Sequence, residues 1–222
     1  MKLGLEGSQE TLARVIKNWE LKNMQEEIVR SGDFLLATPA LSGSYFQDCI
    51  IFMVECSPKN GCWGLVINHR SHIPLDEVFK KSPIEMSKFV PLEMLRAIRP
   101  LYTFFFGGPV QNTDPFQKLS VCILEADTSV FNGAYEVSEK VFVSRIPLEM
   151  ELPVSKLIAP QNQTARIFFG YSGWSAGQLE NEILDGAWEV SNPVPYEVFS
   201  KNRDEVPITV SKFRECYENH RI

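Results

Sequence analysis

The sequence predicts a single α+β domain. Its strand segments come in groups that suit hairpins, and its helical segments lie between these groups without regular strand–helix alternation. The chain has 222 residues, with no internal repeat and no Gly/Ser-rich linker, which favours one large domain. Hydrophobic residues make up 44% and charged residues 23% of the chain, so a sizeable core can form.

The first thirty residues precede the predicted domain. Residues 8–30 carry apolar side chains at helical spacing and predict an amphipathic helix. We therefore expect residues 1–31 to form an N-terminal helical extension and residues 32–222 to form the α+β domain. The helix either packs on the domain or is offered to a partner, and the sequence leaves both arrangements open.

Short apolar runs bounded by turn residues predict the strands. They lie at 34–37, 48–56, 62–68, 102–106, 118–125 and 165–170, with a hairpin or bent strand over 134–144. The turn cluster at residues 57–61 indicates that the second and third runs pair as a hairpin. Helices are predicted near 74–81 and 91–98, from Ser175 to about Gly186, and from residue 208 onward.

The charge balance limits the partners and the compartment that we expect. The formal net charge is −6, so direct nucleic-acid binding is not expected, because phosphate neutralisation needs a basic face. No apolar run reaches the roughly 18 to 20 residues of a membrane span, and the charged first thirty residues contain no signal-peptide core. We expect a cytoplasmic protein whose five cysteines are reduced thiols.

A glycine-rich stretch after the 165–170 strand is the first candidate ligand-binding loop. Ser175 is predicted as the N-cap of the following helix, and Gln178 stands where it completes a capping box. A helix start of this kind can hold an anion. The alternative, which the motif alone favours, is a cap that only joins strand, turn and helix. The candidate residues are Gly173, Trp174, Ser175, Gly177 and Gln178.

The second candidate loop follows the 102–106 strand. It consists of Gly107, Gly108, Pro109 and Val110, and its two glycines allow close backbone approach. It contains neither GxxxxGK[ST] nor GxGxxG, so a sharp turn is the simpler interpretation. A ligand site would use the two loops as opposite walls of a cleft.

The sequence contains no recognisable catalytic or metal-binding set. Gly170 to Gly173 is one residue short of a G-x-S-x-G elbow, and nothing places a histidine beside Ser172. Catalytic residues are therefore unknown, and we expect no cofactor and no metal site. Cys56 and Cys62 flank the hairpin turn, and they can form a redox pair if the register brings them together.

Three motifs resemble those of the uncharacterised YqgE/AlgH family of bacterial proteins. They are residues 32–41 together with Gly64-Leu65-Val66-Ile67-Asn68, then Gly107-Gly108-Pro109-Val110, and then residues 170–182 followed by Trp188. The resemblance implies a single α+β domain in which a strongly bent mixed sheet, a pseudo-barrel, is flanked by helices. It implies no established reaction. The family name suggests a transcriptional regulator, but no helix-turn-helix accompanies it here.

Several cysteine and histidine positions depart from the family pattern and mark a divergent member. Cys49 stands where the family has Ser or Thr, Cys56 where His is common, Cys62 in place of Ala and His69 in place of Arg. Cys49 is predicted to be a buried, unreactive small side chain.

Three functional hypotheses follow. The first is a non-enzymatic regulatory or binding protein with an unknown protein or small-molecule partner. The second is an enzyme or small-molecule sensor with the two glycine-rich loops around a pocket, and it loses its site if the loops are packed shut. The third is a thiol sensor at Cys56 and Cys62.

Overall fold

The computed structural model describes residues 28–70, 104–110, 118–124, 134–147, 166–200 and 209–218. The strands of these segments form two five-stranded sheets. The first sheet has the order β10-β1-β2-β3-β9, and every neighbouring pair in it is antiparallel. Its strands are β1 (Phe34–Ala37), β2 (Ile50–Ser57), β3 (Gly61–Val66), β9 (Ser172–Trp174) and β10 (Trp188–Ser191).

The second sheet has the order β4-β8-β5-β7-β6. Its strands are β4 (Phe104–Phe106), β5 (Lys118–Leu124), β6 (Tyr135–Ser138), β7 (Val141–Pro147) and β8 (Arg166–Phe169). β4 and β8 are parallel, whereas the other neighbours are antiparallel, so the sheet is mixed as the resemblance implied.

The two sheets meet where β8 continues into β9 and where the chain leaves β3. The backbone N–H of Phe106 donates to the carbonyl of His69 at 2.9 Å, and that of Val66 donates to the carbonyl of Gly107 at 2.8 Å. Within the described strands, β10 and β9 end the first sheet and β4 and β6 end the second, so neither sheet closes into a barrel.

The described helices are short; the first and third pack on the first sheet, and the second contacts both sheets. After a 3-10 helix at Pro39–Leu41 come α1 (Gln178–Leu184), α2 (Pro195–Ser200) and α3 (Val210–Tyr217). Aromatic side chains bind α2 and α3 to the central strands: Phe34 and Phe213 have ring centroids 5.3 Å apart, and Phe52 and Phe199 are 4.9 Å apart. All four rings are buried and form the centre of this part of the core.

Most sequence-predicted elements are confirmed. The six apolar runs form strands β1, β2, β3, β4, β5 and β8, the 57–61 turn joins a β2–β3 hairpin, residues 134–144 lie in the β6–β7 hairpin, and the terminal helix is α3. Strands β9 and β10 and helix α2 were not predicted, because they lack the continuous apolar runs that mark the equally short strands β1, β4 and β8.

The predicted cap of the 175–186 helix is wrong in position. The helix begins at Gln178, and its N-cap is Gly177 with a left-handed φ of 78°, not Ser175. The backbone of residues 174–176 instead lies against Gly61, which fixes that segment outside the helix. The helices predicted at 8–27, 74–81 and 91–98 lie outside the described residues, and residues 28–30 are not helical.

No helix in the described segments is long and apolar enough to cross a membrane.

Candidate functional site

The Gly107–Val110 loop contacts, backbone to backbone, the residues that lead into the Gly173–Gln178 loop. The N–H of Gly107 donates to the carbonyl of Phe169 at 2.7 Å. Val110 and Tyr171 exchange two hydrogen bonds, of 3.0 and 3.3 Å. The first loop and the segment before the other loop are therefore neighbours in one hydrogen-bonded surface.

Gly108 lies so close to the opposite backbone that it excludes a cleft at this point. A Cβ atom added to Gly108 would lie 2.2 Å from the carbonyl carbon of Tyr171 and 2.4 Å from the nitrogen of Ser172. One added to Gly107 would lie 2.6 Å from the carbonyl oxygen of Gly170. The two glycines are thus required by packing, and the space between residues 107–108 and 170–172 is filled. Pro109 is exposed and borders this contact.

Ser172, the sequence's nearest approach to a nucleophile, is part of the same contact. Its side chain is fully buried, and its hydroxyl donates to the carbonyl of Gly107 at 3.3 Å. This bond replaces hydration of a buried carbonyl and fixes the junction between the loops. His69, the one described histidine, contacts Cys49 instead.

Polar groups from the Gly173–Gln178 loop and from the helix and strand that follow it form a cluster, the Glu182 cluster, consisting of Trp174, Gln178, Glu182 and Trp188. Both indole N–H groups donate to the same Glu182 oxygen at 2.8 Å, and the Gln178 amide donates to the other oxygen at 2.9 Å. The two indoles pack edge to face with centroids 6.0 Å apart. The cluster therefore joins α1 to β9 and β10.

Gln178 also receives a hydrogen bond from the loop that precedes it. The backbone N–H of Ser175 donates to its side-chain oxygen at 3.1 Å. This is the backward half of the predicted capping box, so Gln178 has the predicted partner although the cap itself is at Gly177. Gly173, Ser175 and Gln178 keep exposed surface, and a Cβ on Gly177 would meet no atom within 4 Å.

The β2–β3 register brings Cys56 and Cys62 directly opposite each other. The neighbouring Cys56 thiol lowers the pKa of Cys62, and burial and the negative charge of Glu180 oppose that shift. The neighbouring Cys62 and burial raise the pKa of Cys56. The condition set for a redox pair, that the hairpin register brings the two cysteines together, is met.

Sequence reasoning missed a contact between Cys49 and His69. The Cys49 sulfur lies 3.3 Å from Nε2 of His69, and the Tyr45 ring packs edge-on to the imidazole at 5.7 Å. The available signal was that residues 49 and 69 are equally far from the centre of the predicted hairpin turn. A bulge between Met53 and Glu55 shifts the register by one residue, and the two side chains still meet.

The electrostatics make Cys49 and His69 an uncharged pair. Burial, assisted by the negative charge of Asp48, raises the pKa of the Cys49 thiol to about 12. Burial lowers the pKa of His69, and Asp48 opposes that shift only in part. At neutral pH a protonated thiol therefore faces a neutral imidazole, which is a structural hydrogen-bonding pair and not an activated thiolate.

Within the described residues, no three His, Cys, Asp or Glu side chains lie together in a way that could hold a metal ion. Two polar side chains hold backbone segments together at helix and strand ends. Asn68 bridges the backbone of Asp48 and Ile50, with hydrogen bonds of 2.8 and 2.9 Å. The Asp48 carboxylate accepts a hydrogen bond from the backbone N–H of Val210 at 2.8 Å.

Comparison with known proteins identifies relatives of the whole described fold. A family profile described as AlgH-like (DUF179) matches residues 34–209. A UPF0301 protein of Pectobacterium atrosepticum is 32% identical over 155 residues, which cover 70% of this chain and 75% of the relative. A UPF0301 protein of Mycobacterium leprae is 32% identical over 178 residues, which cover 80% of this chain and 79% of the relative.

Two solved structures share the fold. The solution structure of the AlgH protein from Pseudomonas aeruginosa has a TM-score of 0.55 at 23% identity and covers 83% of this chain and 87% of its own. The crystal structure of protein DIP2367 from Corynebacterium diphtheriae has a TM-score of 0.51 at 20% identity, with coverage of 79% and 83%. From the family match over residues 34–209, the chain belongs to the AlgH-like family.

Proposed function

We propose that the protein is a non-enzymatic regulatory or binding protein of the bacterial cytoplasm. The observation that supports this function is that the buried groups of the glycine-rich segments are used within the domain. Gly107 and Gly108 pack against the backbone of residues 170–172, and the Ser172 hydroxyl and the Trp174 indole bond to groups of the same domain. The buried part of the most distinctive motif therefore serves to hold the domain together.

A catalytic group must be able to contact the substrate at the reacting atom. Ser172 is buried against the Gly107 carbonyl, and the Glu182 carboxylate accepts hydrogen bonds from two indoles. The Cys49 thiol stays protonated at neutral pH because burial raises its pKa. None of these three groups is placed to act on an incoming molecule.

If the role is transcriptional, as the AlgH name suggests, we propose that it runs through a protein partner. The net charge of −6 disfavours direct contact with phosphates. The alternative is a small-molecule sensor or enzyme. It would use the outer surface of the Gly173–Gln178 loop, where Gly173, Ser175 and Gln178 are exposed, and not a cleft between the two loops.

Native mass spectrometry on protein purified gently from its own host tests the proposal. We expect a retained protein subunit, or the bare chain, and no small ligand. Gly173→Ala and Gln178→Ala alter the exposed loop surface. Asn181→Ala is the matched control, because its amide also bonds the loop backbone, at Gly177, from the same helix. A small retained mass that the first two variants lose and the control keeps would instead support the sensor.

A turnover screen completes the test. Wild-type protein and Ser172→Ala are compared on ester, phosphate and peptide substrates, with folding checked by circular dichroism. We expect no turnover by either protein. Hydrolysis that Ser172→Ala abolishes while the fold is retained would contradict the proposal. Gly108→Val is unsuitable as a binding variant, because its side chain would collide with the backbone of Tyr171.

A further inference from the structure

We propose that Cys56 and Cys62 form a dithiol–disulfide redox site that reacts with hydroperoxides. This site lies outside the two glycine-rich loops, and its chemistry is separate from the binding function proposed above. The pair sits at the turn end of the β2–β3 hairpin, two residues before and one residue after the four-residue stretch Pro58–Gly61.

The hairpin register supplies the geometry of the pair. Residues directly opposite each other in an antiparallel ladder share a face, with Cβ atoms about 4.5 to 5.5 Å apart. A disulfide needs a Cβ separation of about 3.5 to 4.5 Å. Cys56 and Cys62 lie directly opposite each other in the register, so a small approach of the two strands is enough to join them.

The pair is asymmetric in exposure. Cys56 is half-buried, whereas Cys62 is 9% exposed. Because the two residues lie directly opposite each other, whichever thiolate attacks the peroxide has the other thiol beside it as the resolving thiol.

The chemistry balances with one peroxide per disulfide. One thiolate of the pair attacks one oxygen of hydrogen peroxide, the O–O bond breaks, and a sulfenic acid and one water are formed once a proton has been taken up. The sulfur of the other cysteine then attacks the sulfenic sulfur, the S–O bond breaks, and the disulfide and a second water are formed. Two thiols are oxidised, one peroxide is reduced to two waters, and a dithiol reductant reverses the change.

The site is connected to the Glu182 cluster through one row of the sheet. Cys62 pairs with Trp174 on β9, so the side chains of Cys56, Cys62 and Trp174 follow one another across three strands on the same face. Gly61 touches the carbonyl of Trp174, because a Cβ added there would lie 2.0 Å from that oxygen. Closing the disulfide therefore changes the surroundings of a buried indole.

The other described cysteines provide internal comparisons. Cys49 is fully buried against His69, and burial raises its pKa to about 12, so it should resist oxidation. Cys216 is half-buried on α3, like Cys56 in exposure, but lies on a helix away from the hairpin. A redox site at the hairpin predicts that Cys56 and Cys62 react before both.

Trypsin cuts after Lys59, which lies between the two cysteines, so a disulfide between them joins two separate tryptic peptides. The reduced full-length protein is treated with substoichiometric hydrogen peroxide, free thiols are blocked with iodoacetamide, and the digest is analysed by mass spectrometry. We expect peptide 31–59 linked to peptide 60–70, separable by dithiothreitol. The linked peptide should form about tenfold faster than any product at Cys216, because the resolving thiol is held in place.

Matched variants assign the bond. Cys49→Ser should keep the linked peptide, since peptide 31–59 also contains Cys49, and Cys216→Ser should keep it as well. Cys56→Ser and Cys62→Ser should each abolish it, and sulfenic acid should be trapped in the variant that keeps the attacking thiol. Tryptophan fluorescence should change with the yield of linked peptide and recover on reduction.

Two results would overturn the proposal. One is oxidation of Cys216 or Cys49 ahead of the hairpin pair. The other is overoxidised or singly modified Cys56 and Cys62 with no linked peptide, in protein whose circular dichroism is unchanged. Retention of the linked peptide in Cys49→Ser, at the mass shifted by the substitution and by the loss of the blocked Cys49 thiol, excludes a bond from Cys49 to Cys62. Partner binding, by contrast, is measured separately in reduced protein, so the two proposals fail independently.

Discussion

Removing the Glu182 carboxylate tests the structural role assigned to the most distinctive motif. Glu182→Ala deletes two charge-assisted hydrogen bonds of 2.8 Å from partly buried indoles and one of 2.9 Å from the exposed Gln178 amide. A hydrogen bond to a charged group contributes about 1.5 to 3 kcal/mol. Taking the low end for the indoles, because water reaches the cluster, the free energy of unfolding should fall by about 3 kcal/mol.

Urea unfolding followed by far-UV circular dichroism measures this loss without relying on the affected tryptophans. At this chain length, about 3 kcal/mol corresponds to a fall in Tm of roughly 6 to 12 °C. Glu182→Gln keeps an acceptor oxygen and should lose about half as much. Glu180→Ala removes a carboxylate from the first turn of the same helix and should cost less than about 1 kcal/mol. Equal stabilities for Glu182→Ala and Glu180→Ala would refute the reasoning.

Three further predictions concern packing, pH and capping. Gly108→Ala places a Cβ 2.2 Å from the Tyr171 backbone and should destabilise by about 3 kcal/mol or more in urea. Gly173→Ala meets only the movable Tyr171 ring, at 3.2 Å, and should cost less than about 1 kcal/mol, so similar losses would contradict the packing argument. Because the pKa of Cys49 rises from an ordinary 9.0 to about 12 in the folded state, the unfolded chain loses its thiol proton first as the pH rises. The Cys49 contribution to stability should therefore fall above pH 9 by up to ~1.4 kcal/mol per pH unit, and Cys49→Ser should make the slope in pH-dependent urea titrations shallower by that amount. Thr209→Ala removes the acceptor of the Lys212 N–H at 3.2 Å and should lower stability by about 1 kcal/mol in thermal melts, with Thr209→Ser restoring most of it.

The parts of the fold that were predicted correctly are those with local causes. The β2–β3 hairpin follows from two apolar runs around a Pro-Lys-Asn-Gly turn, and β8 follows from one apolar run between polar neighbours. Strands β9 and β10 were missed because they are strands only through pairing with β3 and β1, which lie more than a hundred residues away in the chain. The helix cap was displaced for the same reason, since contact with Gly61 holds residues 174–176 outside α1.

In the candidate site, too, local features were predicted and long-range contacts were not. The glycines at 107 and 108 signalled close backbone approach from the sequence, but the sequence could not say that the approaching atoms belong to Tyr171 and Ser172 and not to a ligand. The sequence also could not predict which side chains bond to the Glu182 carboxylate. Two tryptophans on different strands converge on it only when both strands are in place.

By itself, the sequence determined the α+β class, the hairpins, the two glycine-rich loops and the family motifs, because turn chemistry, apolar periodicity and backbone freedom act over a few residues. The tertiary structure alone decided that Gly107 and Gly108 pack against residues 170–172, that Cys56 faces Cys62, and that Cys49 contacts His69. These outcomes depend on strand register and on a single bulge between Met53 and Glu55, which shift which side chains meet.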